Sequence, residues 1–466
     1  MSKFLKDLGI YAIGNLGSKI ITFAMVPLYT FFVKDTGDYG YYDLCLTMVL
    51  LLLMPATMQL TDGAFRFLID RNNLNDHKRT ITFTYITLLC TGVAFLIITS
   101  IIDFFFDVKY VWLTYLLLMA MSVFEVMLRV ARGLERKQEF VTASILSAFG
   151  IGIFSIIFVV CLRMGVVGIF WGNILARIIA YLYLDFKIGL LKTYFDLKTE
   201  YWHIGKKILY YCVPLIPGMI CWWLASSSDR FFISTYLGVN INGIYAVAVR
   251  FTGIIYTFTT IFYQAWQETA IKQYQSKDRD QFFSQMANTF IFFLAFLFIN
   301  YNIALKIFYP YIVDNNYAES IYYILPLCIS ALFFSMTQFL DMGYQCSKET
   351  LLIIPSYALT AFINVTLNYI LIKQLGLSGA AISINVSFLV LFIYRYVDTR
   401  RFFKIRINGS SIVAIVMIGL TAIPFYWWNS AWYLIAFLIA GNLVLLVAMP
   451  ASIRQDLLGK LLKRKQ

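Results

Sequence analysis

The sequence predicts an all-α integral membrane protein of about fourteen transmembrane helices, built as two six-helix bundles in parallel-repeat relation plus two C-terminal helices. Three observations predict it. The 466 residues are 60% hydrophobic and only 14% charged, whereas soluble domains carry about 25% charged residues. Apolar runs of roughly 20 residues, enough for a helix to cross a ~30 Å hydrocarbon core, recur from end to end with no soluble domain between them. The first and second halves also echo each other in their glycine and aromatic patterns.

The elements follow in order. Span one, residues 10–33, comes straight after a lysine-bearing start without a small-residue cleavage site, so it reads as a span and not a removable signal. Spans two to six fall at 39–62, 81–102, 110–130, 141–162 and 166–187. Span seven, 208–237, is interrupted by Pro214, Pro217 and Gly218. Proline removes a helix hydrogen bond and localises bending, so these residues, with Pro27 and Pro55 of spans one and two, are candidate hinges. Spans eight to twelve occupy 243–266, 286–309, 321–341, 352–373 and 378–397; two further spans, 411–428 and 431–450, lie outside the repeat. The expected lobes are 1–190 and 208–400, joined by a cytoplasmic linker at 191–207, with 401–466 holding the extra helices and a basic cytoplasmic tail.

Charge sets the orientation. Of 38 Lys and Arg, only Lys34, Lys109, Arg163 and Lys373 fall in one set of alternate loops and a few lie within spans; the rest crowd the other set and the termini. Basic loops stay cytoplasmic, so both termini are expected there, in a multi-pass protein of a cell membrane. The net charge of +13 is therefore a topology signal and a set of anionic-lipid contacts, as at Arg400, Arg401, Lys404 and Arg406, and does not indicate nucleic acid. The seven cysteines are scattered singly and read as packing residues, not as a metal or disulfide framework. Trp112, Trp202, Trp266, Trp427, Trp428 and Trp432 sit where an interfacial belt is expected, while Trp171, Trp222 and Trp223 lie deeper.

The repeat has two parts. FFVKDTGDYGYYDLCL at 31–46 resembles FFISTYLGVNINGIYAVA at 231–248: an aromatic pair ends one helix, a short turn follows, and Gly-x-Tyr opens the next. Gly133 is followed by Gly165 and Gly168 as Gly343 is followed by Gly376 and Gly379. Each half contains an even number of crossings, so the two copies share one orientation, which suits a central cavity that opens to either side in turn.

With this repeat, Asn15, Lys19 and Pro27 of span one and the run SSSDRFFISTYLGVNINGIYAVAVR at 226–250, the chain resembles the polysaccharide transporters of the multidrug/oligosaccharidyl-lipid/polysaccharide flippase superfamily, and among them the Wzx-type flippases of O-antigen or capsule repeat units. The resemblance covers essentially the whole chain. It implies twelve core helices in two lobes, alternating access, and transfer of an undecaprenyl-diphosphate-linked oligosaccharide from the cytoplasmic to the periplasmic leaflet of a bacterial inner membrane. Glycan polymerase and glycosyltransferases of the same pathway are the implied partners. The fourteen spans depart from the twelve-helix pattern and also bring to mind the peptidoglycan-precursor flippases of the superfamily.

No enzyme constellation is visible: the two histidines, His77 and His203, fall in expected cytoplasmic loops, and no phosphate-binding Gly-x-x-x-x-Gly-Lys motif occurs. The expectation is a transporter without cofactor, driven by an ion gradient (Na+ or H+), the membrane potential or consumption of product. The informative residues are charges at membrane depth, which are costly and face bundle interiors or aqueous cavities. Lys19 in span one, Arg177 in span six and Arg250 in span eight are the expected cavity cations, supported by Asn15 and Asn173, because a diphosphate needs several charge-assisted donors. Asp229 and Arg230 point about 100° apart on a helix, so they read as a gate or brace rather than joint ligands. Glu125 and Arg129, four apart, read as an intrahelical pair; Asp62, Arg66 and Asp341 read as solvated helix ends. A drug or cation exporter of the superfamily would bury carboxylates, and a glycan polymerase or glycosyltransferase would carry a large extramembrane loop; neither pattern stands out here.

Overall fold

The computed structural model describes residues 21, 24–69, 73–347 and 349–449, among which all regular structure is helical. Thirteen helical spans among them are long and apolar enough to cross a membrane, and the expected first span lies mostly outside the described part. The protein is an all-α multi-pass membrane protein.

The chain divides into two compact units, Met1–Gly243 and Ile244–Gln466. The first contains α1 (residues 24–32), α2 (Thr36–Thr57), α3 (Leu60–Ile69), α4 (Leu74–Phe106), α5 (Val111–Gly133), α6 (Lys137–Ser155), α7 (Gly165–Ile188), α8 (Trp202–Cys212), α9 (Leu215–Ser227) and α10 (Asp229–Tyr236). Next, α11 (Val239–Gln273) crosses the boundary. The second holds α12 (Arg279–Ile312), α13 (Ile321–Leu340), α14 (Met342–Ser347), α15 (Ile353–Leu375), α16 (Leu377–Asp398), α17 (Gly409–Leu420), α18 (Ala422–Trp427) and α19 (Ala431–Ala448).

Local chemistry explains the breaks. Asp35 caps α2 by accepting a bond from the Gly37 amide at 2.8 Å, the expected service of a short acidic side chain at a helix start. Span two, expected to run unbroken over 39–62, stops just after Pro55: Met58 and Gln59 both take positive φ, and α3 restarts at Leu60. Span seven is three helices rather than one, because Pro214 ends α8 and Ser228 separates α9 from α10. The 191–207 interval is also partly helical, with a π turn at Leu190–Tyr194 and the start of α8. His77 and His203, expected in loops, sit in the first turns of α4 and α8. Helices such as α4 and α12 run well past the apolar stretches that betrayed them, since polar end turns stay helical outside the hydrocarbon.

In the first unit the core joins α3 to α8 through Leu60, Leu68, Phe83, Met127, Leu184 and Ile208. Because α8 packs on α3 and α4, and α9 and α10 on α2, this unit runs past the 191–207 interval to Gly243. In the second unit, α17 and α19 pack on α12 around Ile299, Ile303, Met417 and Leu434. Reciprocal amide bonds between Asn300 and Asn442, at 2.9 and 3.0 Å, tie α19 to α12. Polar contacts of this kind supplement packing between helices surrounded by lipid, where no hydrophobic drive separates helix from acyl chain.

The glycine echo is visible in the backbone. Gly165 opens α7 with φ of +57° and Gly376 precedes α16 with φ of +59°, a region that costs an ordinary side chain. The helical hairpins α6–α7 and α15–α16 occupy corresponding places in the two halves.

Candidate substrate-contact site

Arg177 lies near the middle of α7, half-buried. Its Nη1 donates to the Asn173 backbone oxygen at 3.0 Å and to Asn173 Oδ1 at 2.9 Å. Helical spacing produces this, since residues four apart share a face. Asn173 in turn donates to Ile169 O and, at 3.4 Å, to the hydroxyl of Tyr42 on α2. Burial sets the electrostatics of the guanidinium first, and the charged group that acts on it most is Glu125, ahead of Tyr42 and Tyr29. Tyr29 is itself fixed by a 2.9 Å bond to Ser155. Among the described residues no carboxylate lies within ion-pair distance of Arg177 or of Arg129, so the expected Glu125–Arg129 pair does not form.

Lys19 and Asn15 lie outside the described residues. Arg250 is half-buried on α11 and belongs to the second unit, Arg177 to the first. Pro27 lies within α1, where its carbonyl accepts the Thr30 hydroxyl at 3.0 Å.

A second polar centre lies at the end of the first unit where α2 and α11 start. Here Arg230 Nε donates to Asp43 Oδ2 at 3.0 Å and its Nη1 to Asp229 Oδ1 at 3.1 Å. All three residues are buried. The expectation that Asp229 and Arg230 diverge is corrected: α10 begins at Asp229, so its carboxylate folds back onto the amide and guanidinium of the next residue. Asp43 was missed by sequence reasoning; its signal was an acid a few residues inside span two, directly after the Gly-x-Tyr echo. Beside it, Gly40 and Gly243 let the two helix starts touch. A Cβ at Gly40 would overlap Val239 O, one at Gly243 would overlap Thr36 O, and Asn242 donates to Gly40 O at 2.7 Å. Outside, Lys109 pairs with Asp38 at 2.6 Å. That hydrogen bond and a second to Tyr110 hold the Lys109 ammonium above the ordinary lysine range.

A third centre belongs to the second unit. Asp341, expected at a solvated helix end, is 6% exposed and pairs at 3.2 Å with Arg395, which is wholly buried. The α13–α14 turn carries Asp341 inward, where the Tyr344 and Tyr357 rings also lie 4.8 and 5.2 Å from the guanidinium. Asp62 and Arg66 are exposed, as solvated ends should be. Trp266 is a further correction: it is 2% exposed and stacked on Phe339 at 4.7 Å, not placed in an interfacial belt. Trp223 is likewise buried, donating to Thr47 O at 3.2 Å.

Thirteen candidate spans among the described residues, in two units that each bury an ion-paired arginine between helices, define a multi-pass membrane protein of transporter fold. The chain is similar to the lipid II flippase MurJ in an inward closed conformation, with TM-score 0.72, 14% identity, and coverage of 96% of this chain and 99% of that one. It is also similar to an inward-facing multidrug resistance MATE family transporter of the MOP superfamily, with TM-score 0.68, 16% identity, and coverage of 84% and 97%. A MOP superfamily transporter from Pyrococcus furiosus is similar at TM-score 0.55 and 15% identity, covering 84% and 95%. At these identities the likeness establishes the fold. No curated protein sequence matches the chain. The model of the polysaccharide biosynthesis protein family matches residues 4–267, more than half of the chain, and the protein belongs to that family.

Proposed function

We propose that the protein is a Wzx-type flippase that moves an undecaprenyl-diphosphate-linked oligosaccharide repeat unit from the cytoplasmic to the outer leaflet by alternating access, for O-antigen, capsule or a related surface polysaccharide. The observation that carries this reading is Arg177. Its guanidinium sits at membrane depth on neutral oxygens, with no carboxylate in contact among the described residues. A cation so placed is costly unless it faces an aqueous path or meets an anion, and a planar guanidinium suits a diphosphate. The family supplies the polysaccharide context, and the fold is one that also serves a lipid II flippase. Within this reading the Asp43–Arg230–Asp229 triad is the outer latch, and its ion pairs part when the saccharide leaves. The breaks after Pro55 and around Pro214, Pro217 and Gly218 take up the bending.

The test is translocation of a fluorescent undecaprenyl-diphosphate oligosaccharide in proteoliposomes, under imposed Na+ and H+ gradients. The native protein, Arg177→Ala and Lys19→Ala are compared after each is shown to be inserted. Transport by the native chain that both substitutions abolish is expected. No native transport across several glycans and gradients sinks the flippase; unimpaired variants sink the cation assignment alone.

A further inference from the structure

In the second unit the span that contains α16 and the span that begins with α17 are joined by residues 402–408, which are not helical. A link this short between two crossings stays at headgroup level. It is also firmly held. Phe402 enters the space that Gly343 leaves, where a Cβ would come to 2.7 Å of the ring, and Phe403 packs on Phe283 of α12 with ring centroids 4.4 Å apart. Beyond them the main chain is fastened to α12 at every second residue, as along a strand edge. Ser284 Oγ accepts the Arg406 amide at 3.0 Å and lies 3.3 Å from Lys404 O. Asn288, 2% exposed, donates to Arg406 O at 2.9 Å and accepts the Asn408 amide at 2.9 Å and the Ser411 hydroxyl at 2.6 Å.

What this strap presents is positive charge. Arg400, in the turn after α16, and Lys404 and Arg406 on the strap are exposed, whereas Phe402 and Phe403 are buried. Among the described residues none of the three cations has a carboxylate within ion-pair distance. The acids of the adjoining helix ends are engaged elsewhere: Asp398 pairs with Arg401 at 2.7 Å and Asp280 with Arg279 at 3.2 Å. Arg401 therefore leaves the basic cluster read from the sequence. A topology signal needs only charge, which a loose loop carries as well. Here polar side chains of α12 fix the backbone that bears the charge, so a partner binding to it does not have to order that backbone.

We propose that Arg400, Lys404 and Arg406 form a preformed docking site for the phosphate of an anionic phospholipid in the leaflet at which α16 ends. Three cations with no acid among them suit a headgroup of net negative charge over a zwitterionic one, whose ammonium they repel. A fixed perch at the helix ends suits a resident lipid, whereas transported cargo has to pass between the ends. That the leaflet is the cytoplasmic one rests on the loop-charge orientation; the site itself does not.

The experiment titrates the full chain in detergent micelles with phosphatidylglycerol and, separately, with phosphatidylcholine of the same acyl chains, counting bound lipid by native mass spectrometry. Phosphatidylglycerol is expected to bind several-fold more tightly. Each of Arg400→Gln, Lys404→Gln and Arg406→Gln should weaken it about fivefold, and the triple variant at least tenfold, with phosphatidylcholine binding and the thermal midpoint in detergent alone unchanged. Lys192→Gln/Lys198→Gln/Lys207→Gln removes three other exposed cations and should change phosphatidylglycerol binding less than twofold. Asn288→Leu keeps the strap's charges but releases its backbone, and should weaken binding several-fold. Equal binding of the two lipids, native binding by the strap triple variant, or an equal loss in the control triple variant overturns the proposal; native binding by Asn288→Leu overturns the preformed site and leaves surface charge alone. A short-chain polyprenyl diphosphate that binds the strap more than tenfold more tightly than phosphatidylglycerol, and loses that binding in the triple variant, overturns the lipid as occupant. Glycan translocation without lipid selectivity removes the strap site alone; selectivity without translocation removes the flippase alone.

Discussion

Each unit carries an arginine on the second helix of its repeated hairpin, Arg177 on α7 and Arg395 on α16, and the two are held in opposite ways. Arg395 is wholly buried and clamped to Asp341 at 3.2 Å. Arg177 is half-buried and rests on the neutral oxygens of Asn173. The glycine register that sets Gly133 against Gly343 and Gly168 against Gly379 places Ala131 and Leu184 where the second unit has Asp341 and Arg395. Ala131 and Leu184 both lie within the first unit's apolar core. One repeat thus fills that place with hydrocarbon and the other with an ion pair. The fold does not demand charge there, and a carboxylate-bound arginine can be a brace where an amide-bound one stays open to an anion.

The largest expected effect tests the brace. Arg395→Leu strands the Asp341 carboxylate, and breaking a buried pair in this way costs about 3–5 kcal/mol. A large fall in the thermal midpoint of the purified protein should follow, with most of it restored in Asp341→Leu/Arg395→Leu, since apolar residues replace buried pairs well. If the single variant melts like the native chain, Arg395 is not a brace and the contrast with Arg177 dissolves.

A smaller effect sharpens the other side. Arg177→Lys keeps the charge but loses the planar fork, and translocation should slow about tenfold, equivalent to about 1.4 kcal/mol, while the thermal midpoint holds. A drop in midpoint with unaltered transport would make Arg177 the structural residue of the two.

The smallest effect concerns the exposed Lys109–Asp38 pair. Lys109→Ala should change stability by no more than about 1 kcal/mol, as exposed ion pairs do. The Lys109 pKa is raised by its bonds to Asp38 and Tyr110, so the pair's contribution is fully present below the unfolded lysine value of about 10.4 and fades as pH climbs through the higher folded value. Melting of native and variant protein should therefore run parallel from pH 6 to 9 and converge only above that range.

Much of the site was legible in part. Arg177, Arg230 and Arg250 could be picked out because charge in an apolar run is conspicuous, and Asn173 because it stands one turn from Arg177; Arg395, close to the end of its expected span, was not. Asp43, Tyr42 and Tyr29 were not, because each looks like an ordinary interfacial residue until a helix distant in sequence brings it a partner. Asp341 and Trp266 were misplaced for the same reason: proximity to a span's end says nothing about what packs over it.

By itself the sequence determined the membrane class, nearly all the spans and the internal repeat. These follow from hydropathy, loop charge and glycine spacing, which act locally along the chain. Which charges meet, which tryptophans are buried and where helices break in two were decided only by tertiary structure. Ion pairing and close packing depend on residues such as Asp43 and Arg230, far apart in sequence and brought to 3.0 Å by helix crossings that one-dimensional spacing does not encode.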